Sequence, residues 1–73
     1  MDYLEWAREY YQNAQRVKAV IERRYRQLKD SSLTADSRKR LNDELKEYRR
    51  IYYDLTKTGD LLRDRAEAVS RDA

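Results

Sequence analysis

From Tyr3 onward, apolar residues recur at alternating steps of four and three: Tyr3, Ala7, Tyr10, Ala14, Val17, Ile21, Arg24 and Leu28, with Arg24 the polar exception. The same walk from Leu41 reaches Leu45, Tyr48, Tyr52, Leu55, Gly59, Leu62, Ala66, Val69 and Ala73. A repeat averaging about 3.5 residues keeps one helical stripe turned toward a neighbour along a shallow left-handed seam. The pattern predicts two helices, over about 2–30 and about 35–71, joined by a turn at 31–34. So short a connection makes the helices antiparallel neighbours. The expected fold is all-α: one helical-hairpin domain over 1–73, resembling an antiparallel two-stranded coiled coil.

Local chemistry agrees with these bounds. Asp2 followed by Glu5 forms an aspartate version of the capping box. Thr34 can accept from the first free amides of the second helix, and Asp36 sits favourably at its positive end. "DSSLT", Asp30 to Thr34, interrupts both stripes. A chain with 42% charged residues, one glycine and no proline is suited to long helices.

Gly59 admits two readings. "TKTGD" is a weak helical segment, so Thr58 or Asp60 can cap a separate third helix. Alternatively, the stripe crosses Gly59 in phase and the second helix is continuous, the glycine making room for a large ring opposite. Two registers satisfy the stripes. One sets Gly59 against Tyr3 and Arg24 near Arg38. The other sets Gly59 against Tyr10 and continues a large-against-small alternation, Ala14 with Leu55 and Ala7 with Leu62.

The first helix carries more apolar surface than a hairpin seam can hide. Leu4, Tyr11 and Tyr25 flank the stripe on one side, Trp6 and Val20 on the other, and Ile51 flanks the second helix. A chain of 73 residues buries only about 60% of the surface its unfolded form exposes. With no cysteine for a disulfide, a partner subunit is the remaining source of stability. The expectation is a homo-oligomer, most simply a dimer in which two hairpins make a four-helix bundle, with Leu4, Trp6, Tyr11, Val20, Tyr25 and Ile51 at the interface.

Catalysis has little to draw on. There is no histidine or cysteine, no phosphate-cradling glycine loop and no nucleophile elbow. Carboxylates mostly lie three or four residues from a Lys or Arg, as in Glu22–Arg26 and Glu47–Arg50, the spacing of solvated helix-face pairs. No enzyme activity, cofactor or metal is expected. No apolar run exceeds three residues, so no membrane span is expected either. The default compartment is the cytoplasm.

Charge is unevenly placed. Of 17 Lys and Arg and 14 Asp and Glu, the stretch from Glu22 to Arg50 holds ten and six, leaving seven and eight elsewhere. The surplus gathers toward the turn as a candidate basic patch: Arg23, Arg26, Lys29, Arg38, Lys39, Arg40, Arg49 and Arg50. Such a patch can grip phosphates, with Tyr25 or Tyr53 stacking on bases; it is equally a solvated end that keeps the chain soluble. Arg24, on the seam itself, is expected to snorkel toward Glu44 or Glu47 or to fix register.

The opening Tyr3-Leu4-x-Trp6-Ala7-x-x-Tyr10-Tyr11, with Tyr52-Tyr53-Asp54 and Thr58-Gly59-Asp60-Leu61-Leu62, resembles short uncharacterised helical proteins from prophage and mobile-element clusters of Gram-positive bacteria. The resemblance implies a bacterial, cytoplasmic accessory protein and brings no activity or site residues with it. The functional expectation is therefore a non-enzymatic structural or protein-interaction module that self-associates through the apolar face of the first helix. An unidentified protein partner is allowed for as well. The alternative is a small nucleic-acid-associated protein using the basic tip.

Overall fold

The structure, a computed structural model, describes residues 2–72. It is an all-α hairpin of two helices, α1 (Tyr3–Leu28) and α2 (Ala35–Asp72), packed along their lengths. Ala73, the last position of the second stripe, lies outside the described residues. The hairpin measures 59 by 14 by 14 Å with a radius of gyration of 17.0 Å. A compact domain of this length would have a radius nearer ~11 Å. The rod is thus one seam thick, and most side chains lie within reach of water.

The helix ends follow from side-chain capping. Asp2 accepts from the amides of Leu4 and Glu5 at 3.1 Å each, satisfying two of the free donors of α1. At the start of α2 the Thr34 hydroxyl oxygen accepts from the Ser37 amide at 3.1 Å. Between them Asp30 folds back on itself, accepting from the Ser32 amide at 2.9 Å and the Ser32 hydroxyl at 2.7 Å. These bonds favour the ionised carboxylate and hold the Asp30 pKa below its ordinary value.

No glycine or left-handed residue terminates α1. Its last carbonyls are met from the other helix: Arg38 donates from Nη1 to the Leu28 carbonyl at 2.9 Å and from Nη2 to the Asp30 carbonyl at 3.4 Å. A cation there also complements the negative end of the α1 dipole. Arg38 thereby fastens the start of α2 to the end of α1.

Helix α2 runs through Gly59 without interruption, so of the two readings the continuous helix is the one formed. Its weak segment is shored up locally: the Thr56 hydroxyl donates to the Tyr52 and Tyr53 carbonyls at 3.0 and 2.9 Å. Gly59 is buried, and a Cβ built there would sit 2.8 Å from Cε1 of Tyr11. Neither Tyr3 nor Tyr10 takes that place. Tyr11 flanks the stripe, and its long ring reaches back across the seam into the glycine notch. The register is therefore close to the second alternative, and Arg24 meets Glu44 instead of Arg38.

The buried apolar residues are Ala7, Ala14, Leu45 and Leu62, so small residues of α1 interleave with leucines of α2. Val69 continues the stripe but is 57% exposed. In this register Leu4 lies beside Ala66, so α2 has already passed the start of α1 by Val69.

Candidate interaction surface

The seam has two long edges, and heptad phase with the observed contacts assigns residues to each. On the first, the tyrosine edge, Leu4 lines a shallow groove with Arg63, Ala66, Glu67 and Ser70. Further along, the Tyr11 hydroxyl donates to Asp60 at 2.5 Å. Asp60 in turn lies 3.7 Å from Arg63. The bond to Asp60, then partial burial, raises the Tyr11 pKa above its ordinary value of 10.0, because an ionised phenolate would face a carboxylate. Nearer the turn Arg49 donates to the Tyr25 hydroxyl and its guanidinium lies 5.9 Å from the centre of that ring.

The second, the tryptophan edge, carries Trp6, Val20 and Gln27 from α1, spaced in whole heptads apart from Asn13 between the first two. From α2 it carries Glu44, Ile51, Thr58 and Arg65 in the same spacing. Near the turn, Val20, Arg23, Arg24, Gln27 and Tyr48 line one open groove. Gln27 also borders a second groove with Asp30 and Arg40. Trp6 is 40% exposed and Ile51 42%; Leu61, beside this edge on α2, is 58% exposed. The six residues expected at one interface thus fall on two surfaces: Leu4, Tyr11 and Tyr25 on one edge, Trp6, Val20 and Ile51 on the other.

Arg24 and Glu44 mark where the tryptophan edge meets the seam. Arg24 Nε and Glu44 Oε2 lie 3.2 Å apart, and both atoms are buried although each side chain is about one-third exposed. Arg24 also donates from Nη1 to Gln27 Oε1 at 3.2 Å. Pairing across the two helices spares both groups an uncompensated buried charge and fixes the register.

The basic tip is less unified in space than in sequence. Arg38 caps α1 and Arg49 holds Tyr25. Arg23 and Arg40 border the two grooves of the tryptophan edge. Lys29 and Lys39 fall toward the tyrosine edge by heptad phase, while Arg26 and Arg50 occupy the outer faces of opposite helices. All six are exposed. Tyr53 stands outside the seam with the Lys57 ammonium 6.0 Å from its ring.

Sequence reasoning did not find the capping role of Arg38 or the Tyr11–Asp60 bond. Only the adjacency of Gly59 and Asp60 hinted at the latter. Among the described residues no three His, Cys, Asp or Glu side chains gather to hold a metal ion. No helix among them is long and apolar enough to cross a membrane. No family model, curated protein or solved structure matches the chain.

Proposed function

We propose that the chain is a non-enzymatic protein-interaction module that self-associates through its tryptophan edge. One observation carries this reading. Trp6 and Ile51 stand two-fifths exposed along an edge whose nearest neighbours at the same heptad position are Val20, Asn13 and Thr58, with Gln27, Glu44 and Arg65 toward its two ends. The buried apolar set of the hairpin is four residues, two of them alanines. Covering more apolar surface is the available source of further stability, at about 25 cal/mol per Å² removed from water.

The tyrosine edge supports association less, because its aromatic hydroxyls already have partners within the chain. Nucleic-acid binding draws less support as well, since Arg24, Arg38 and Arg49 have partners inside the hairpin. Sedimentation equilibrium of the wild type and of Trp6→Glu tests the proposal. The wild type is expected to sediment as a dimer at micromolar concentration and the variant as a helical monomer. A monomeric wild type overturns the reading. Retention on DNA or RNA at low salt, lost on changing Arg23, Lys39 and Arg40 to glutamate, would favour the nucleic-acid alternative.

A further inference from the structure

Resting on self-association, we infer that the second copy docks on the tryptophan edge with its turn at the same end as the first. The two hairpins are then related by a two-fold axis parallel to their length. Such an axis leaves every residue at its own level. Each α1 therefore lies against α2 of the partner, antiparallel, and meets across the interface the residues it is level with in its own hairpin. The levels come from the observed contacts: Tyr11 beside Gly59 and Asp60, Leu4 beside Ala66, Arg24 beside Glu44.

With that register, the centre of the interface brings Val20 onto Ile51 of the partner subunit and Trp6 between Leu61 and Arg65 of the partner subunit. The rim is set by the next residue outward on each helix. On α1 these positions are Glu9, Arg16, Arg23 and Asp30; on α2, at matching levels, they are Leu61, Asp54, Glu47 and Arg40. Three of these pairings are of opposite charge, Arg16 with the partner's Asp54, Arg23 with the partner's Glu47 and Asp30 with the partner's Arg40, while Glu9 falls level with the partner's Leu61. Symmetry repeats each one. Rim complementarity of this kind sets orientation in helical assemblies.

The opposite arrangement, with turns at opposite ends, stacks α1 on α1 and α2 on α2. It sets Arg16 against its own copy and Asp54 against its own copy, and leaves Arg23 with the partner's Glu9 as its one kind of rim pair of opposite charge. The tyrosine edge fits poorly too. There Glu22 is level with Lys46 but Lys29 with Lys39, and Asp60, level with Arg8, already accepts from Tyr11. Bringing two basic turns together costs little by comparison, because charges more than a Debye length of about 8 Å apart are screened at physiological salt. The face of the whole hairpin, 59 by 14 Å, sets an upper bound of about 800 Å² per partner, the scale of a standard stable interface.

Two measurements on the full chain test the inference. The first is sedimentation equilibrium of Arg23→Glu, Glu47→Arg and the double variant, with helicity followed by circular dichroism. Each single reversal should weaken the dimer by about tenfold, since it turns two rim pairs repulsive. The double reversal should restore the dissociation constant to near wild type. The second is the distance between spin labels on Ser31→Cys, an exposed turn position in a chain without other thiols. Labels separated by about the width of a bundle, on the order of 10–20 Å, support the shared end.

Labels near the 59 Å length of the hairpin overturn the orientation while leaving self-association standing. Close labels without rescue by the double reversal overturn the choice of edge. A wild type that sediments as a monomer overturns the underlying reading itself.

Discussion

Along one edge of the hairpin, Tyr11 and Tyr25 have their hydroxyls engaged by Asp60 and Arg49 of the facing helix. Along the other, Trp6 is 40% and Ile51 42% exposed in a row that also holds Val20, Asn13 and Thr58, with Glu44 and Arg65 toward its ends. Both edges start from similar apolar content on α1. They differ because tyrosine carries a polar handle that a neighbour can satisfy within the chain, whereas tryptophan beside isoleucine has mainly area to offer. An aromatic flank is therefore not a docking surface merely by being aromatic. Leu4 and Tyr25 are as exposed as Trp6 and Ile51, so what separates the edges is whether their polar atoms are already engaged.

The contrast can be broken at several points. The largest effect is expected from Trp6→Glu combined with Ile51→Glu. The pair should abolish the dimer and lower the melting temperature at a given concentration, read by sedimentation and by thermal melts at two concentrations. The equivalent change on the tyrosine edge, Leu4→Glu, should leave the dimer intact.

Gly59→Ala comes next and tests the notch under Tyr11. Its Cβ would lie well inside contact distance of the ring, so the ring must shift, which strains its bond to Asp60. We expect destabilisation of about 1 kcal/mol in urea unfolding. In a Tyr11→Ala background the clash is gone, and the same substitution should stabilise by up to ~1 kcal/mol through helix propensity. A change of sign between backgrounds is the decisive observation.

Arg38→Ala should cost about 1 kcal/mol, because it removes two charge-assisted bonds to the end of α1 at a partly exposed site. Amide exchange over Arg26 to Asp30 should rise with it. Lys39→Ala, on an exposed neighbouring position, should do neither.

The smallest effect concerns pH. The folded pKa of Tyr11 is raised, so the neutral phenol is the form the fold favours. Its stabilising share is complete below the unfolded value of 10.0 and is lost as pH rises through the higher folded value. Wild type should therefore lose stability more steeply than Tyr11→Phe above pH 10, by equilibrium unfolding at matched ionic strength. Equal slopes would mean that the bond to Asp60 contributes nothing in solution.

Much of the architecture was legible from the chain because the information is periodic. Apolar residues at four-three spacing are in phase only on a helix, and an out-of-phase "DSSLT" can only be a connection. The caps at Asp2 and Thr34 were readable for a similar reason, since a capping side chain bonds amides two or three residues away. Whether Gly59 interrupts α2 was not readable. Local propensity argues for a break and the stripe against it, and the sequence carries no common scale for weighing them.

Register was harder still. A seam repeating every seven residues looks alike after a shift of one heptad, so stripe matching alone leaves two solutions. The tertiary structure separates them through contacts made off the stripe: Tyr11 in the Gly59 notch, Arg24 against Glu44, and Arg38 over the end of α1. None is periodic. The sequence by itself determined two helices, their hand of packing and the excess of apolar surface. Which edge has its polar groups engaged within the chain was decided only once the helices were side by side, because satisfying a hydroxyl or a guanidinium depends on the residue across the seam.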